Sequence, residues 1–343
     1  MEKTRKRRGT GRVTLQEVAN FAGVGTMTVS RALRTPEQVS DKLREKIEQA
    51  VEELGYIPNR TAGALASGHS DTVAVLVPSL TDKASSRFMQ SLQQVLNKNE
   101  FQLLLGCHEY NQLKEAEILM TLLQGNPAAL VIFGSQLADK THQILEKTNI
   151  PTINVVGSPF SPAQITIETA FFEASHKLTE HLLEQGYKNI GFIGAHMDNR
   201  LQRQQLNGWH KAMLSHYQNS DLVITMPDAA SLQLGRYALN EILLRQPELD
   251  AVICSHEEIA LGIMFECQRR LLKIPRNIAV ACLDGSDNCD QTHPTLTSIR
   301  IDYKKMGIET GKLLIGLLNN NHDESEESRI VQFNYQIELR QST

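Results

Sequence analysis

Hydrophobic positions in the first part of the chain recur at helical spacing and predict three short helices. Thr14–Glu17 has the capping-box pattern, in which a threonine hydroxyl and a glutamate carboxylate each satisfy a free backbone amide. A glycine-containing turn, Gly23–Gly25, ends this first helix. Residues 26–33 and 40–54 predict the second and third helices. Three helices in about 45 residues bury little core, so the bundle is expected to need support from a partner or from the rest of the chain.

From residue 72 onward the pattern changes to short apolar runs separated by longer amphipathic stretches. The runs lie at 73–77, 103–105, 130–133, 153–156, 190–193, 222–224, 251–253 and 278–282. Strands that alternate with helices predict an α/β fold of parallel sheets with right-handed crossovers. So many strands exceed one comfortable open sheet. We therefore expect two doubly wound lobes with a cleft between them, although periodicity alone leaves a barrel open.

Length and composition describe an ordinary globular chain. It has 343 residues, of which 41% are hydrophobic and 22% charged. Nowhere do about 18 uncharged apolar residues follow one another, as a membrane span requires. The cationic start is not followed by the apolar core of a secretory signal. We expect a cytoplasmic protein that meets no membrane.

The charge is divided unevenly along the chain. Residues 1–70 hold 12 lysines and arginines against 8 aspartates and glutamates, whereas the remainder holds 23 against 31. Only the N-terminal part, residues 1–70, is therefore expected to bind a polyanion. Residues 1–12 carry six basic side chains and no apolar pattern, which predicts a flexible arm. Residues 60–71 are small and polar apart from Leu65, which predicts a linker with marginal helix-forming ability.

Signatures of catalysis and of metal binding are weak. The chain has no phosphate-binding loop, no dinucleotide-binding fingerprint, no H-E-x-x-H and no G-x-S-x-G. His256-Glu257-Glu258 could ligate a metal or transfer protons, but no second ligand group is evident. Five cysteines form no C-x-x-C pair and are expected to be idle thiols. We expect no enzymatic activity, no metal and no cofactor.

The N-terminal helices combine in an arrangement used for reading DNA. A helix, a glycine-containing turn and a second helix place the second helix in the major groove. The informative stretches are Val13-Thr-Leu-Gln-Glu-Val-Ala, Gly23-Val-Gly-Thr-Met-Thr-Val-Ser-Arg31, Val39-Ser40 and Leu54-Gly-Tyr-Ile-Pro-Asn-Arg60. They resemble the headpiece of the lactose/galactose-repressor (LacI/GalR) family of transcriptional regulators. A protein-interaction module is the alternative for such a bundle.

The resemblance implies DNA contacts for ten residues. Thr26, Met27 and Arg31 match base-reading positions, where arginine binds guanine bidentately and methionine contacts thymine methyl groups; packing is the alternative role for Met27. Further DNA contacts are implied for Thr14, Thr28, Ser30, Ser40, Tyr56 and Asn59, most of them to phosphates. Leu65 matches a residue that paired linkers wedge into the minor groove, unless it packs on the following lobe. Gly25 stands where relatives have serine or threonine, which puts one contact in doubt.

The remainder of the chain also resembles the family, whose effector domain is like periplasmic sugar-binding proteins. The stretches Val77-Pro-Ser79, Gly186-Tyr-Lys-Asn-Ile-Gly-Phe-Ile-Gly194, Gly208-Trp209 and Phe265-Glu-Cys-Gln-Arg-Arg270 occur in the expected order. Within the family, the chain is most similar to regulators of gluconate and idonate utilisation. The resemblance therefore implies an effector that is a small carbohydrate or a sugar acid such as gluconate.

Strand ends and matching positions give seven candidate effector-binding residues. They are Ser79, Arg200, Arg203, Gln205, Glu257, Glu258 and Asp284. A carboxylate ligand would need Arg200, Arg203 or a helix N-terminus nearby. Gln205 stands where relatives carry arginine, and His256-Glu257-Glu258 where they carry Asn-Asp. Each isolated polar residue has a plain alternative as a solvated loop residue, so the cleft is better supported than its ligand.

These inferences combine into a sequence-specific repressor that binds double-stranded operator DNA as a homodimer at the nucleoid. An effector in the cleft would change the angle between the lobes and hence the spacing of the linkers. The expected parts are an arm 1–12, a helix-turn-helix domain 13–59, a hinge 60–71 and an effector domain 72–343, with lobe 1 at 72–169 and 299–326 and lobe 2 at 170–298 and 327–343. No leucine heptad follows Gly316, so the zipper of tetrameric relatives is not visible. The alternatives are a regulator with a degenerate, effector-independent pocket and a sugar-processing α/β enzyme with a DNA-binding module.

Overall fold

The structure is a computed structural model that describes residues 13–58, 70–134, 137–157, 163, 165–196, 199–319 and 329–343. Two compact units divide between Ser70 and Asp71. The arm at 1–12, most of the expected hinge with Leu65, and Asn59 lie outside the described residues. In the described part of the chain, no helix has the length and apolar character needed to cross a membrane.

The first unit consists of the three expected helices. They are α1 (Leu15–Ala22), α2 (Thr26–Arg34) and α3 (Asp41–Leu54), with a 3-10 turn at Pro36–Gln38. The capping box is confirmed, because the Glu17 amide donates to the Thr14 hydroxyl at 3.3 Å and the Thr14 amide to the Glu17 carboxylate at 2.7 Å. Gly23 closes α1 with a φ of 63°, in the left-handed region that other residues disfavour. The core is made of Val18, Ala19, Ala22, Val29, Ala32, Ile47 and Ala50.

The second unit contains two six-stranded sheets, which confirms two α/β lobes and excludes the barrel. Sheet 1 of lobe 1 is parallel and has the order β11-β5-β4-β3-β1-β2, whereas sheet 2 of lobe 2 has the order β12-β10-β9-β8-β6-β7, with only β12 antiparallel. Sheet 1 contains β1 (Thr72–Val77), β2 (Gln102–Cys107), β3 (Ala129–Phe133), β4 (Thr152–Val155), β5 (Ile165–Thr169) and β11 (Arg329–Phe333). Sheet 2 contains β6 (Ile190–Gly194), β7 (Val223–Thr225), β8 (Ala251–Cys254), β9 (Ala279–Gly285), β10 (Thr297–Ile301) and β12 (Tyr335–Glu338).

Helices cover the sheets of both lobes. Lobe 1 has α4 (Lys83–Lys98), α5 (Gln112–Gln124), α6 (Asp139–Leu145) and α11 (Tyr303–Asn319), and lobe 2 has α7 (Phe171–Glu184), α8 (Arg200–Ser215), α9 (Leu232–Arg245) and α10 (Glu257–Arg269). Central strands such as β1, β3 and β8 are buried along nearly their whole length, as parallel strands covered on both faces must be. A β-carbon at Gly208 would lie 2.3 Å from the Phe172 carbonyl oxygen, so this glycine lets α8 pack directly on α7.

The expected lobe boundaries need two corrections. Residues 299–301 belong to β10 of lobe 2, not to lobe 1. The expected lobe 2 includes all of residues 327–343, but the chain divides at Asn334 into β11, which pairs with β5 of lobe 1, and β12, which pairs with β10 of lobe 2. The two strands have similar half-exposed patterns, so the choice of sheet depends on long-range pairing that periodicity does not encode.

The chain therefore crosses between the lobes three times. The crossings lie at Ala170 between β5 and α7, at Asp302 between β10 and α11, and at Asn334 between β11 and β12. Each is a single residue between two regular elements, which is the length that a hinge needs.

Candidate functional site

The second helix of the first unit presents a polar and charged face to solvent. Val29 and Ala32 are buried in the bundle, whereas the Met27 side chain is 75% exposed and Arg31 is exposed. Met27 therefore does not fill the core, which removes the packing alternative for this residue. Thr26, Thr28 and Ser30 are half-buried on the same helix.

The start of this helix has free backbone donors. Gly25 occupies the N-cap position and makes no side-chain capping hydrogen bond. The first amides of a helix without such a cap can be satisfied by an anion, and the helix dipole favours negative charge at this end. Arg31 and Arg34 lie in the last turn of the same helix.

The other expected DNA contacts differ in what their side chains do. The Thr14 hydroxyl donates its one hydrogen to the Glu17 carboxylate at 2.9 Å, so Thr14 can only accept hydrogen bonds in this arrangement. The Thr14 amide and hydroxyl also lower the pKa of Glu17. Ser40 is the N-cap of α3, but its side chain makes no capping hydrogen bond. Tyr56 packs half-buried against the bundle core.

A second candidate site lies within the other unit, in the cleft between its lobes. A cavity of about 230 Å³ lies where the carboxyl ends of parallel strands from both sheets face each other. Lobe 1 contributes Asp82, Lys83 and Ser85 from the start of α4, and Tyr110 and Phe133 from strand ends. Lobe 2 contributes His196, Gln202, Gln205, His256, Glu258 and Asp284.

The structure brings together only some of the expected effector-binding residues. Gln205, Glu258 and Asp284 line the cavity. Glu257 lies behind the lining, where its side chain is 1% exposed. Ser79 and Arg203 line an adjoining open groove, and Arg200 lines a separate depression beside Glu168.

The two arginines expected to meet a carboxylate therefore line neighbouring depressions and not this cavity. The reason is helical spacing: Leu201, Gln202 and Gln205 of α8 face the cavity, whereas Arg200 and Arg203 lie on other faces of this helix.

Lys83, which the sequence did not single out, joins two of the expected residues at the centre of the cleft. The Lys83 ammonium of lobe 1 donates to the carboxylates of Glu257 at 2.6 Å and of Glu258 at 2.9 Å, both in lobe 2. Glu257 also accepts from the Ser286 amide at 2.7 Å and from the Asn288 side-chain amide at 3.0 Å. Burial raises the pKa of Glu257, but these hydrogen bonds outweigh burial and hold its pKa below the ordinary value.

Two further contacts join the lobes across the cleft. The rings of Tyr110 and His196 stack with centroids 3.9 Å apart. The Tyr303 hydroxyl of lobe 1 donates to Asp284 of lobe 2, yet burial and the neighbouring Glu258 carboxylate raise the pKa of Asp284 to about 7. Burial also lowers the pKa of His256 to about 4, so this ring is neutral at pH 7.

Several buried polar atoms of the cavity lining have no hydrogen-bond partner. They are both side-chain amide atoms of Gln205, Oε1 of Gln202 and Oγ of Ser85. Buried polar groups are nearly always satisfied by protein, water or ligand, so these atoms are available to hydrogen-bond a polar guest or ordered water. Across the residues that the structure describes, no cluster of His, Cys, Asp and Glu is arranged to hold a metal ion.

Positions after strand ends carried the signal for most of the residues that sequence reasoning missed. Tyr110 follows β2 and His196 follows β6. In an open α/β sheet these positions line the ligand cleft. Lys83 had no such signal, because its partners lie 174 residues further along the chain.

Each of the two units matches a known protein family. Residues 14–59 match the family "Bacterial regulatory proteins, lacI family", and residues 179–343 match the family "Periplasmic binding protein-like domain". The chain is 33% identical over 299 residues to the HTH-type transcriptional regulator GntR of Escherichia coli K12, which covers 86% of this chain and 89% of that protein. It is 28% identical to the HTH-type transcriptional regulator IdnR of the same strain, over 95% of this chain and 97% of that protein. The solved structure of a LacI family transcriptional regulator from Silicibacter pomeroyi superposes with a TM-score of 0.87 at 26% identity, over 96% of this chain and 99% of that one.

Proposed function

Because this chain belongs to the LacI family of DNA-binding transcriptional regulators, we propose that it binds a pseudo-palindromic operator as a homodimer and reads each half-site with α2. Control of DNA binding lies with a small effector in the cleft between the lobes. The site of action is bacterial DNA, in the cytoplasm at the nucleoid.

One observation carries the DNA-reading role: α2 buries one face in the bundle and leaves Met27 and Arg31 exposed on the other. Arginine binds guanine O6 and N7 bidentately, and methionine offers an apolar contact to thymine methyl groups. Thr26, Thr28 and Ser30 flank them at the start of the same helix. The uncapped amides that follow Gly25 offer a phosphate the contacts that set register without reading sequence.

The remaining parts of the chain take supporting roles in this proposal. Thr14, Ser40, Tyr56 and Asn59 contact the phosphate backbone, and the basic arm 1–12 adds attraction for any duplex. Residues 60–71 fold as a hinge when both copies stand on the operator, with Leu65 entering the minor groove.

Exposed apolar side chains of the second unit support the homodimer. The edge strand β2 presents Leu104 and Leu105, and Leu113 at the start of α5 is 84% exposed. In lobe 2, Tyr237 and Leu244 of α9 are exposed as well. Apolar groups on an unpaired strand edge favour association with a second chain, and a two-fold dimer matches a two-fold operator.

The cavity supports effector control over the alternative of a degenerate pocket. Its buried unpartnered polar atoms would be an unexplained cost in a site that binds nothing. We propose a small carbohydrate or a sugar acid as the effector and no catalytic turnover, since the relatives are regulators by name. A sugar-processing enzyme would instead consume the molecule that it binds.

The substitution Arg31→Ala tests DNA reading. We expect binding to a selected operator to weaken by about 1–3 kcal/mol and one base position to lose its preference, while binding to scrambled duplex changes little. The measurement is fluorescence anisotropy on labelled duplexes at one fixed salt concentration. The matched control is Arg34→Ala on the same helix, for which we expect a similar loss on every sequence. Equal losses on operator and scrambled DNA for Arg31→Ala would contradict the base-reading role.

A further inference from the structure

The charges around the cleft cavity do not balance. Asp82, Glu258 and Asp284 line it together with two cations, Lys83 and Arg87. Lys83 is shared between Glu258 and the buried Glu257. Arg87 is engaged with Asp287 at 3.3 Å, and Arg300 holds the same carboxylate at 2.6 Å. Three carboxylates therefore line the cavity with two cations, and each of the two cations already has a carboxylate partner.

Neutral groups, not cations, hold the two innermost carboxylates. Asp82 accepts from the Tyr110 hydroxyl, and Asp284 accepts from the Tyr303 hydroxyl. Burial lowers the pKa of both His196 and His256, so the histidines of the lining add no positive charge at neutral pH. Residues 135–136 and 197–198, which the structure does not describe, include neither lysine nor arginine.

Independent of these charges, the lining offers free hydrogen-bonding atoms. Gln205 is 1% exposed, and its amide has an unused donor and an unused acceptor. Gln202 and Ser85 each add one more unpartnered oxygen. A molecule with several hydroxyl groups satisfies such a set, because each hydroxyl both donates and accepts.

The cavity volume limits the guest to a small molecule. At about 230 Å³ the cavity is below the range of roughly 300–1,000 Å³ that holds drug-sized ligands.

We infer that the effector is a small polyhydroxylated molecule that carries a protonated amine and no carboxylate, with the amine directed at Asp284 and Glu258. This inference rests on the proposed effector control and narrows it. A sugar acid would bring a further negative charge to a site where both lining cations are engaged with carboxylates, and Arg203 lines the adjoining groove. The raised pKa of Asp284 has the same origin, since burial and neighbouring carboxylates both disfavour its charge. A cation at this point would relieve that repulsion.

The test compares molecules that differ in one group. D-Glucamine, D-glucitol and D-gluconate share five carbons and their hydroxyls and differ at carbon 1, which carries an ammonium, a hydroxyl or a carboxylate. Glucosamine, glucose and glucuronate supply a cyclic series. Each is titrated into the full-length protein by isothermal titration calorimetry at pH 7, and operator binding is measured with and without it.

We expect the amine to bind at least about tenfold more tightly than the neutral polyol, as a charge-assisted hydrogen bond in a desolvated site provides. Asp284→Asn and Glu258→Gln should each remove most of this preference, which is measured as the ratio of the amine and neutral-polyol affinities of the same variant. The matched control is Glu248→Gln, an exposed carboxylate of lobe 2 outside the cleft, which should change nothing.

The possible outcomes distinguish a failure of this inference from a failure of the proposed effector control. If gluconate binds as tightly as glucamine, or if Arg203→Ala abolishes gluconate binding, the inference that the effector carries an amine and no carboxylate is overturned. Effector control is not affected by either result. A neutral polyol that binds as well as the amine also overturns this inference. If none of these compounds gives a heat of binding or changes operator binding, while the protein still binds its operator, effector control is overturned and this inference with it.

Discussion

Replacing Lys83 with methionine removes the one cation that joins Glu257 and Glu258 across the cleft. Methionine keeps most of the side-chain length, so the change isolates the ammonium. The Glu257 carboxylate, with a side chain 1% exposed, then keeps only the Ser286 amide at 2.7 Å, the Asn288 amide at 3.0 Å and the weak Cys289 thiol contact at 3.6 Å.

The size of the expected loss in stability follows from the solvent exposure of Lys83 and Glu257. Breaking a fully buried ion pair by removing one partner costs about 3–5 kcal/mol, because a charge stays behind without its counter-ion. Lys83 is 40% exposed and Glu257 keeps two strong donors, so solvent screening reduces the cost to about 1–2 kcal/mol. At about 2–4 °C per kcal/mol for a domain of this size, the apparent Tm falls by about 2–8 °C.

Thermal unfolding of the full chain, followed as a function of pH, measures this cost. The pKa of Glu257 lies below its ordinary value, so the contribution is complete above the pKa of the unfolded carboxyl group and is lost as pH falls through the folded pKa. The Tm gap between the two proteins should stay constant from about pH 6 to 8 and close below about pH 4. Lys114→Met, which breaks an exposed pair with Glu109 in the same lobe, is the control and should cost less than about 0.5 kcal/mol. Equal Tm losses for both variants, or a gap that widens at low pH, would refute the reasoning.

Two further predictions concern packing and titration. Gly307→Ala in α11 places a β-carbon 2.4 Å from the Phe88 carbonyl oxygen and 2.2 Å from the Ser91 hydroxyl, and should destabilise the protein by about 1–3 kcal/mol in urea unfolding. Gly316→Ala in the same helix meets nothing within 4 Å and should instead stabilise it by about 0.4–1 kcal/mol; a loss at both positions would contradict the packing argument. Asp284→Asn removes a carboxyl whose pKa burial raises to about 7, and whose contribution to stability is complete at low pH and lost as pH rises through that value. The Tm advantage of Asp284→Asn should therefore grow from about pH 4 to 7 and level off above pH 7, and a constant or shrinking difference between pH 4 and 7 would contradict a raised pKa in the folded state.

The helices of the first unit were predictable because their determinants are local. The capping box at Thr14, the left-handed turn at Gly23 and the apolar stripe of α3 each depend on residues within a few positions of one another. The same local reasoning placed the expected recognition helix within one residue of its observed end at Arg34.

The cleft was predictable in location but not in its chemistry. Strand ends indicated where polar residues would gather, but the face of α8 that enters the cleft depends on how this helix packs. Trp209 and Gly208 are buried against lobe 2, and Gln205 and Gln202 continue the same face one and two turns earlier. Counting back from Trp209 would have selected the glutamines over Arg200 and Arg203. The bond between Lys83 and Glu257 has no local signature, since its two residues lie 174 positions apart in different lobes.

The position of Lys83 links the identity of the effector to the conformation that it selects. The lobes are joined by three single-residue crossings and held together at the cleft by Lys83, by the stack of Tyr110 on His196 and by the hydrogen bond of Tyr303 to Asp284. An effector whose own cation binds Glu258 competes with Lys83 for that carboxylate. The same effector can hydrogen-bond Ser85 of lobe 1 and Gln205 of lobe 2 at once. The hydrogen bonds that the effector makes to both lobes then add to the free energy of closure that the contacts of Lys83, Tyr110 and Tyr303 supply. An effector shifts the populations of the closed and open forms only by the difference in its binding free energy between them. The polar atoms that bridge the lobes therefore determine how strongly the effector changes DNA binding, more than its total affinity does.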